Sequence, residues 1–192
     1  MGKTMDVQIS AGAFLLPALL LMFLPIQWVS AVIVAAAVHE LSHIAALCLL
    51  DVHVFDISIG LRGARILTEP MNPTKELVCA LAGPLGSAAL LLTARWFPRL
   101  AICGAVHCLY NCLPLLPFDG GRVLHSAIAL VFPEEYCEQV WKHTQHAVQF
   151  AIALFTALLA FKLGWGVLLL GILILRYSRR KTSCQQTLLA IQ

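Results

Sequence analysis

The chain has 192 residues, 60% of them apolar and only 12% charged, with a mean hydropathy of +0.85. Soluble domains run at about 45–50% apolar and about 25% charged, so an ordinary soluble globular domain is excluded. The formal net charge is +3 and the basic residues are scattered between apolar blocks, so no nucleic-acid partner is expected.

The apolar excess comes in blocks, and crossing a bilayer takes about 20 such residues. A first span is expected over 9–26. Pro25-Ile26-Gln27 then turns the chain into a second span over 28–50, ended by Asp51. Val29-Ser30-Ala31 resembles a signal-peptide cleavage site, but another apolar stretch follows it, so the first span is read as retained. Residues 51–76 form the longest polar interval of the first half. Val52, Val54, Ile57 and Ile59 come close to alternating, 60–63 supply a turn, and Arg65-Ile66-Leu67 can return. A small β-hairpin or strand element after the second span is expected there; an irregular loop fits the same residues.

Asn72-Pro73-Thr74 reads as a helix start. A third span over 77–97 carries the small residues of Ala82-Gly83-Pro84-Leu85-Gly86-Ser87, which let neighbouring helices approach closely. A fourth, over 100–117, breaks at Pro114 and Pro117. Residues 122–132 are too few to cross and suit an interfacial helix. As one helix, 147–175 would measure about 43 Å against a hydrocarbon core of about 30 Å. Division at Lys162-Leu163-Gly164 gives spans over 141–161 and 164–177 instead.

The expected fold class is therefore an all-α polytopic membrane protein with about six transmembrane helices, forming a single membrane-embedded domain over 1–192. With both termini cytoplasmic, ten Lys and Arg lie inside and only Arg95, Arg99 and Lys162 outside. The expected location is a cell membrane, crossed several times. The seven cysteines follow no framework, so no disulfide is expected, and Cys108 and Cys112 lack a second pair for a metal site.

The chemistry sits inside the second span, in His39-Glu40-Leu41-Ser42-His43. One turn apart on a helix, the two imidazoles share a face and can reach one ion. Glu40 lies beside that ion, where it can accept a proton from water the ion has activated. Zinc suits this work because it brings the pKa of water to about 7. A carboxylate in an apolar span costs about 2.5–3.5 kcal/mol even on the lenient insertion scale. Metal coordination accounts for all three polar side chains together; a polar helix-packing cluster is the alternative.

A catalytic zinc takes three protein ligands and keeps one position open. Asp119 is the strongest third candidate. Pro114 and Pro117 prevent regular helix before it, and Gly120 and Gly121 permit tight turns after it. Non-helical backbone at membrane depth is tolerated where it lines a buried cavity. A helix N-cap ahead of Gly120 would use the same residue type. His107, one turn before Asn111, fits either a place beside the site or plain helix packing.

Three segments, His39-Glu40-Leu41-Ser42-His43, Ala82-Gly83-Pro84 and the Asn-x-x-Pro-x-x-Pro-x-Asp-Gly-Gly stretch from Asn111 to Gly121, together resemble a known family in order and spacing. That family is the site-2 proteases, intramembrane zinc metalloproteases, and the nearest subgroup is the stage IV sporulation protein FB type. The resemblance implies that His39, His43 and Asp119 bind zinc, that Glu40 is the general base, and that Asn111 lies close to the substrate. It implies a zinc metalloendopeptidase of a bacterial membrane, cutting membrane-associated protein substrates in or beside the bilayer. Release of a transcription factor or pro-sigma factor, under a regulatory membrane partner, would be the outcome. Capture of an unwound substrate as an added β-strand on the 52–67 segment also follows from it. No PDZ or CBS domain is expected. Two other readings are a metallopeptidase for prenylated or other C-terminal peptides, which usually takes a glutamate as third ligand, and a metal transporter, which has no need of Glu40.

Overall fold

In the computed structural model the described residues are 6–60, 63–163, 171–173 and 176. They fall into two units, Met1–Asn111 and Cys112–Gln192. The first contains β1 (Asp6–Ile9), α1 (Gly12–Leu21), α2 (Ile26–Leu49), β2 (Val54–Gly60), β3 (Gly63–Thr68), α3 (Pro73–Ala89) and α4 (Pro98–Asn111). The second contains α5 (Asp119–Val131) and α6 (Glu134–Leu163).

The buried face of α2 includes Val29 and Leu47 but also two histidines, while several branched apolar residues stay outside. Ile33, Val34, Leu41 and Leu49 are exposed, whereas His39, His43, Ala31 and Ala35 are buried. A helix folded in water would bury the branched apolar residues first. With 24 residues, α2 is about 36 Å long, enough for a hydrocarbon core of about 30 Å. Among the described residues, two helical stretches are long and apolar enough to cross a membrane, Ile26–Leu49 and Pro73–Thr93. The second is α3 continued by a 3-10 turn over Leu90–Thr93.

Asp51 stops α2 by adopting a left-handed conformation, φ 53°. Val52 N–H then donates to Leu47 O at 3.0 Å and Asp51 N–H to Cys48 O at 3.3 Å. This pair of bonds closes a helix C-terminus on its own carbonyls. Lys75 Nζ donates to Leu50 O at 2.8 Å, adding a cation where the helix dipole is negative. At the start of α3, Asn72 Oδ1 accepts from Lys75 N at 2.8 Å with Pro73 at the first helical position, the start expected of Asn72-Pro73-Thr74.

The hairpin expected after α2 forms as β2 and β3, antiparallel with Ile57 opposite Ile66. The structure adds a third strand. β1 pairs in parallel with β2, Ile9 opposite Ile59, so β2 is central and β1 and β3 are the outer strands. This pairing draws Ile9 and Ser10 out of the expected 9–26 span: Ser10 N–H donates to Ile59 O at 2.9 Å, and α1 has only 10 residues. At about 15 Å it is half the thickness of a hydrocarbon core. Below the sheet, Leu47, Val52 and Cys79 form a buried cluster with Val54, Ile66 and Met71 against it. The hairpin is thereby fixed to the ends of α2 and α3.

α4 ends at Asn111, earlier than the expected 117. Pro114 and Pro117 offer no N–H to continue the helical ladder. In the second unit α6 has 30 residues and begins seven residues before the expected 141. The described residues 171–173 are helical too, and a side chain at Gly171 would fall within 2.8 Å of Thr156. In one continuous helix those residues would stand about 22 Å apart, so they belong to two packed helical stretches. The turn expected at 162–164 and most of the span over 164–177 lie outside the described residues.

Candidate metal centre

The periodicity of α2 sets His39 and His43 one above the other, both buried, with Nε2 atoms 3.2 Å apart. Their rings stand nearly perpendicular, 84°, with centroids 4.8 Å apart. What aims them is α3, where Cys79, Gly83 and Ser87 recur every four residues on one face. His43 Nδ1 lies 2.8 Å from Cys79 O, and His39 Nδ1 lies 3.0 Å from Ser87 Oγ.

A backbone carbonyl only accepts, so His43 Nδ1 carries the proton and its Nε2 presents a lone pair. That lone pair is directed at His39 Nε2. Ser87 has both a proton and lone pairs. If it accepts from His39 Nδ1–H, both Nε2 lone pairs converge, an arrangement that a cation stabilises. Two nitrogens bound to one tetrahedral zinc at about 2.0–2.1 Å would stand about 3.3–3.4 Å apart. The observed separation fits. Ligating histidines almost always donate their other N–H to a carbonyl or similar group, as His43 does here.

Gly83 makes the approach possible. A Cβ there would fall on His43 Nε2 and come within 2.7 Å of His39 Cε1. One turn on, a Cβ at Gly86 would fall on Ser42 Oγ. The small residues expected to let helices approach therefore meet the histidine face itself.

Glu40 is half-buried on the same turn of α2. His107 of α4 packs edge-on to His39, ring centroids 4.6 Å apart, and lies beside Tyr110 at 4.9 Å. Asn111 is buried at the end of α4, where its Nδ2 donates to His107 O at 3.1 Å.

Asp119 belongs to the second unit. It is buried, and it occupies the first turn of α5 without being its cap, since Phe118 holds that position. Its carboxylate is therefore not explained by the N-cap alternative. Arg122 Nη1 is 3.6 Å from Asp119 Oδ1. The backbone before Asp119 is irregular, with a cis Leu116–Pro117 bond, and Leu115 is fully buried. A Cβ at Gly120 would fall on the Cys112 carbonyl, and one at Gly121 on that of Leu115. Only glycine lets the first turn of α5 rest on this segment.

No family model matches the chain, and no curated protein matches it in sequence. Among solved structures, the site-2 protease from Methanocaldococcus jannaschii matches with a TM-score of 0.62 at 18% identity. The match covers 94% of this chain and 92% of that one. The fold is similar to that of a site-2 protease.

Sequence reasoning missed Ser87 and the Cys79 carbonyl as the partners of the histidines. The four-residue recurrence of Cys79, Gly83 and Ser87 was the available signal, one small-residue face two turns long. The carbonyl has no sequence signature, because every residue carries one.

Proposed function

We propose that this chain is an intramembrane zinc metalloprotease of the site-2 type, a multi-pass cell-membrane enzyme acting on membrane-associated proteins. The observation that carries the reading is the pair of buried imidazoles in an apolar helix, their Nε2 atoms 3.2 Å apart and His43 held by the Cys79 carbonyl. The fold likeness to a site-2 protease supports it. In this reading His39, His43 and Asp119 hold the zinc, Glu40 is the general base, and Asn111 lies close to the substrate. Bound there, zinc would supply a Lewis acid for the scissile carbonyl and water acidic enough to lose a proton near neutral pH.

Glu40 accepts the proton of the attacking water and returns it to the leaving amine. A substrate helix must first unwind, since its carbonyls are engaged in their own backbone bonds. The unwound segment adds to an outer strand of the sheet, β1 or β3, because β2 has neighbours on both sides. Six spans with both ends cytoplasmic, membership of the stage IV sporulation protein FB type, a bacterial source, a regulatory membrane partner, and a released transcription factor or pro-sigma factor complete the proposal. A metal transporter using the same donors would have no use for Glu40.

Co-expression with candidate single-span substrates tests the reading. The wild type should cleave one of them, and Glu40→Gln should lose at least about 10²-fold in rate, the low end for general acid–base catalysis. Cleavage at the wild-type rate by Glu40→Gln would remove Glu40 from the chemistry. Metal flux into vesicles without any peptide cleavage would favour the transporter.

A further inference from the structure

Pro114 creates a carbonyl with an unusual shortage of donors. In a turn its oxygen would accept from residue 117, but that residue is a proline and has no N–H. The next amide is already engaged, since Phe118 N–H donates to Leu115 O at 2.9 Å. The missing donor comes from α6. Gln145 Nε2 donates to Pro114 O at 3.1 Å.

Gln145 is itself buried, 6% exposed, although its neighbours Lys142, His143, Thr144 and His146 are polar. Its Oε1 is buried with no hydrogen-bond partner among the described residues. A buried polar atom left unpaired is costly, so this amide is not part of a self-sustaining polar network. Among the described residues its hydrogen bond is the one to Pro114.

The segment that Gln145 holds is the seat of Asp119. Backbone atoms of Cys112 and Leu113 lie against Gly120, and those of Leu115 and Leu116 lie against Gly121, at distances that exclude a Cβ. Leu115 is fully buried, and Gly121 N–H donates to Phe118 O at 3.0 Å. A shift of the 113–116 backbone is therefore transmitted to the first turn of α5, where Asp119 stands.

We infer that Gln145 is a positioning residue for the Asp119 carboxylate, acting through its amide bond to the Pro114 carbonyl. The inference rests on the metal reading given under the proposed function, with Asp119 as a ligand. Groups that orient metal ligands typically cost about 10–100-fold in metal affinity when removed. Gln145 orients its ligand through a backbone segment, and the lower end of that range is expected.

The test uses the full chain in detergent micelles, with Co2+ alone as the spectroscopic probe and Zn2+ retention against a chelator as the affinity readout. Asp119→Ala fixes the signal of a site lacking the carboxylate. Gln145→Met keeps the length and apolar packing but donates nothing, and Gln145→Asn keeps an amide that is one methylene too short. Each should shift the visible Co2+ spectrum toward that of Asp119→Ala and lower Zn2+ affinity about tenfold. Ser126→Ala, which removes a buried hydroxyl with no partner among the described residues, should match the wild type in both readouts. If Gln145→Met fails to fold, Gln145→Asn decides.

A wild-type spectrum and wild-type retention in the folded Gln145 variants would overturn the inference while leaving the metal site standing. Loss in Ser126→Ala equal to that in Gln145→Asn would overturn it as well, as general packing damage. Absence of any Co2+ signal in the wild type would overturn the metal reading and the inference together.

Discussion

α2 and the segment before α5 solve the same problem, holding a buried polar side chain, in opposite ways. In α2 the backbone around the histidines is regular helix, so His39 and His43 are placed by period alone. Their aim then comes from α3, through the Cys79 carbonyl and the Ser87 hydroxyl. Before α5 the backbone is irregular, and Asp119 is placed by main-chain packing of 112–116 against Gly120 and Gly121. The regular region orients its two imidazoles with one carbonyl and one hydroxyl of the neighbouring helix. The irregular region must first satisfy its own carbonyls, and it borrows Gln145 to do so.

That contrast predicts where each region breaks. The largest effect is expected at Gly121. An added methyl would meet the Leu115 carbonyl and the Leu116 nitrogen, backbone atoms that cannot rotate away. Gly121→Ala should cost about 1–3 kcal/mol or more, the range for overpacking, and abolish metal retention, as thermal unfolding and elemental analysis would show. Gly83→Ala meets two imidazole rings instead, and rings can turn. It should keep more of the stability but lose the metal, so equal stability losses in the two variants would erase the distinction drawn here.

Ser87→Ala comes next. Removing the partner of His39 Nδ1 should weaken zinc binding about 10–100-fold with little change in unfolding temperature, as competition with a chelator would measure. Proline substitutions along β3 should then cut proteolysis at every other position while zinc content stays unchanged, because proline removes a backbone donor a docked strand would use. In β2 the same scan should damage the sheet itself, since that strand is paired on both sides. The smallest effect belongs to Asn72→Ala, about 1 kcal/mol of stability from a lost helix cap, with zinc content unaltered.

Legibility in the sequence follows the same division. The histidines, the helix that bears them, its end at Asp51 and the start of α3 at Asn72 were readable, because each depends on residues within a turn of one another. Pro114, Pro117, Gly120 and Gly121 announced an irregular segment but not its path, and nothing in them pointed to Gln145, 31 residues away. Strand β1 was unreadable for a related reason. Four residues paired in parallel with residues fifty positions on leave too short a pattern, and Ile9 passed for the start of a span. Ser87 was read as spacing when it is also a hydrogen-bond partner.

Zinc content of the purified chain tests the central claim most directly, because it asks whether the two regions serve one ion. Elemental analysis should find about one zinc per chain in the wild type and in Glu40→Gln, as expected for a catalytic site in which Glu40 is no ligand. His43→Ala and Asp119→Ala should each lose it. Full zinc content in both of those variants would contradict the account.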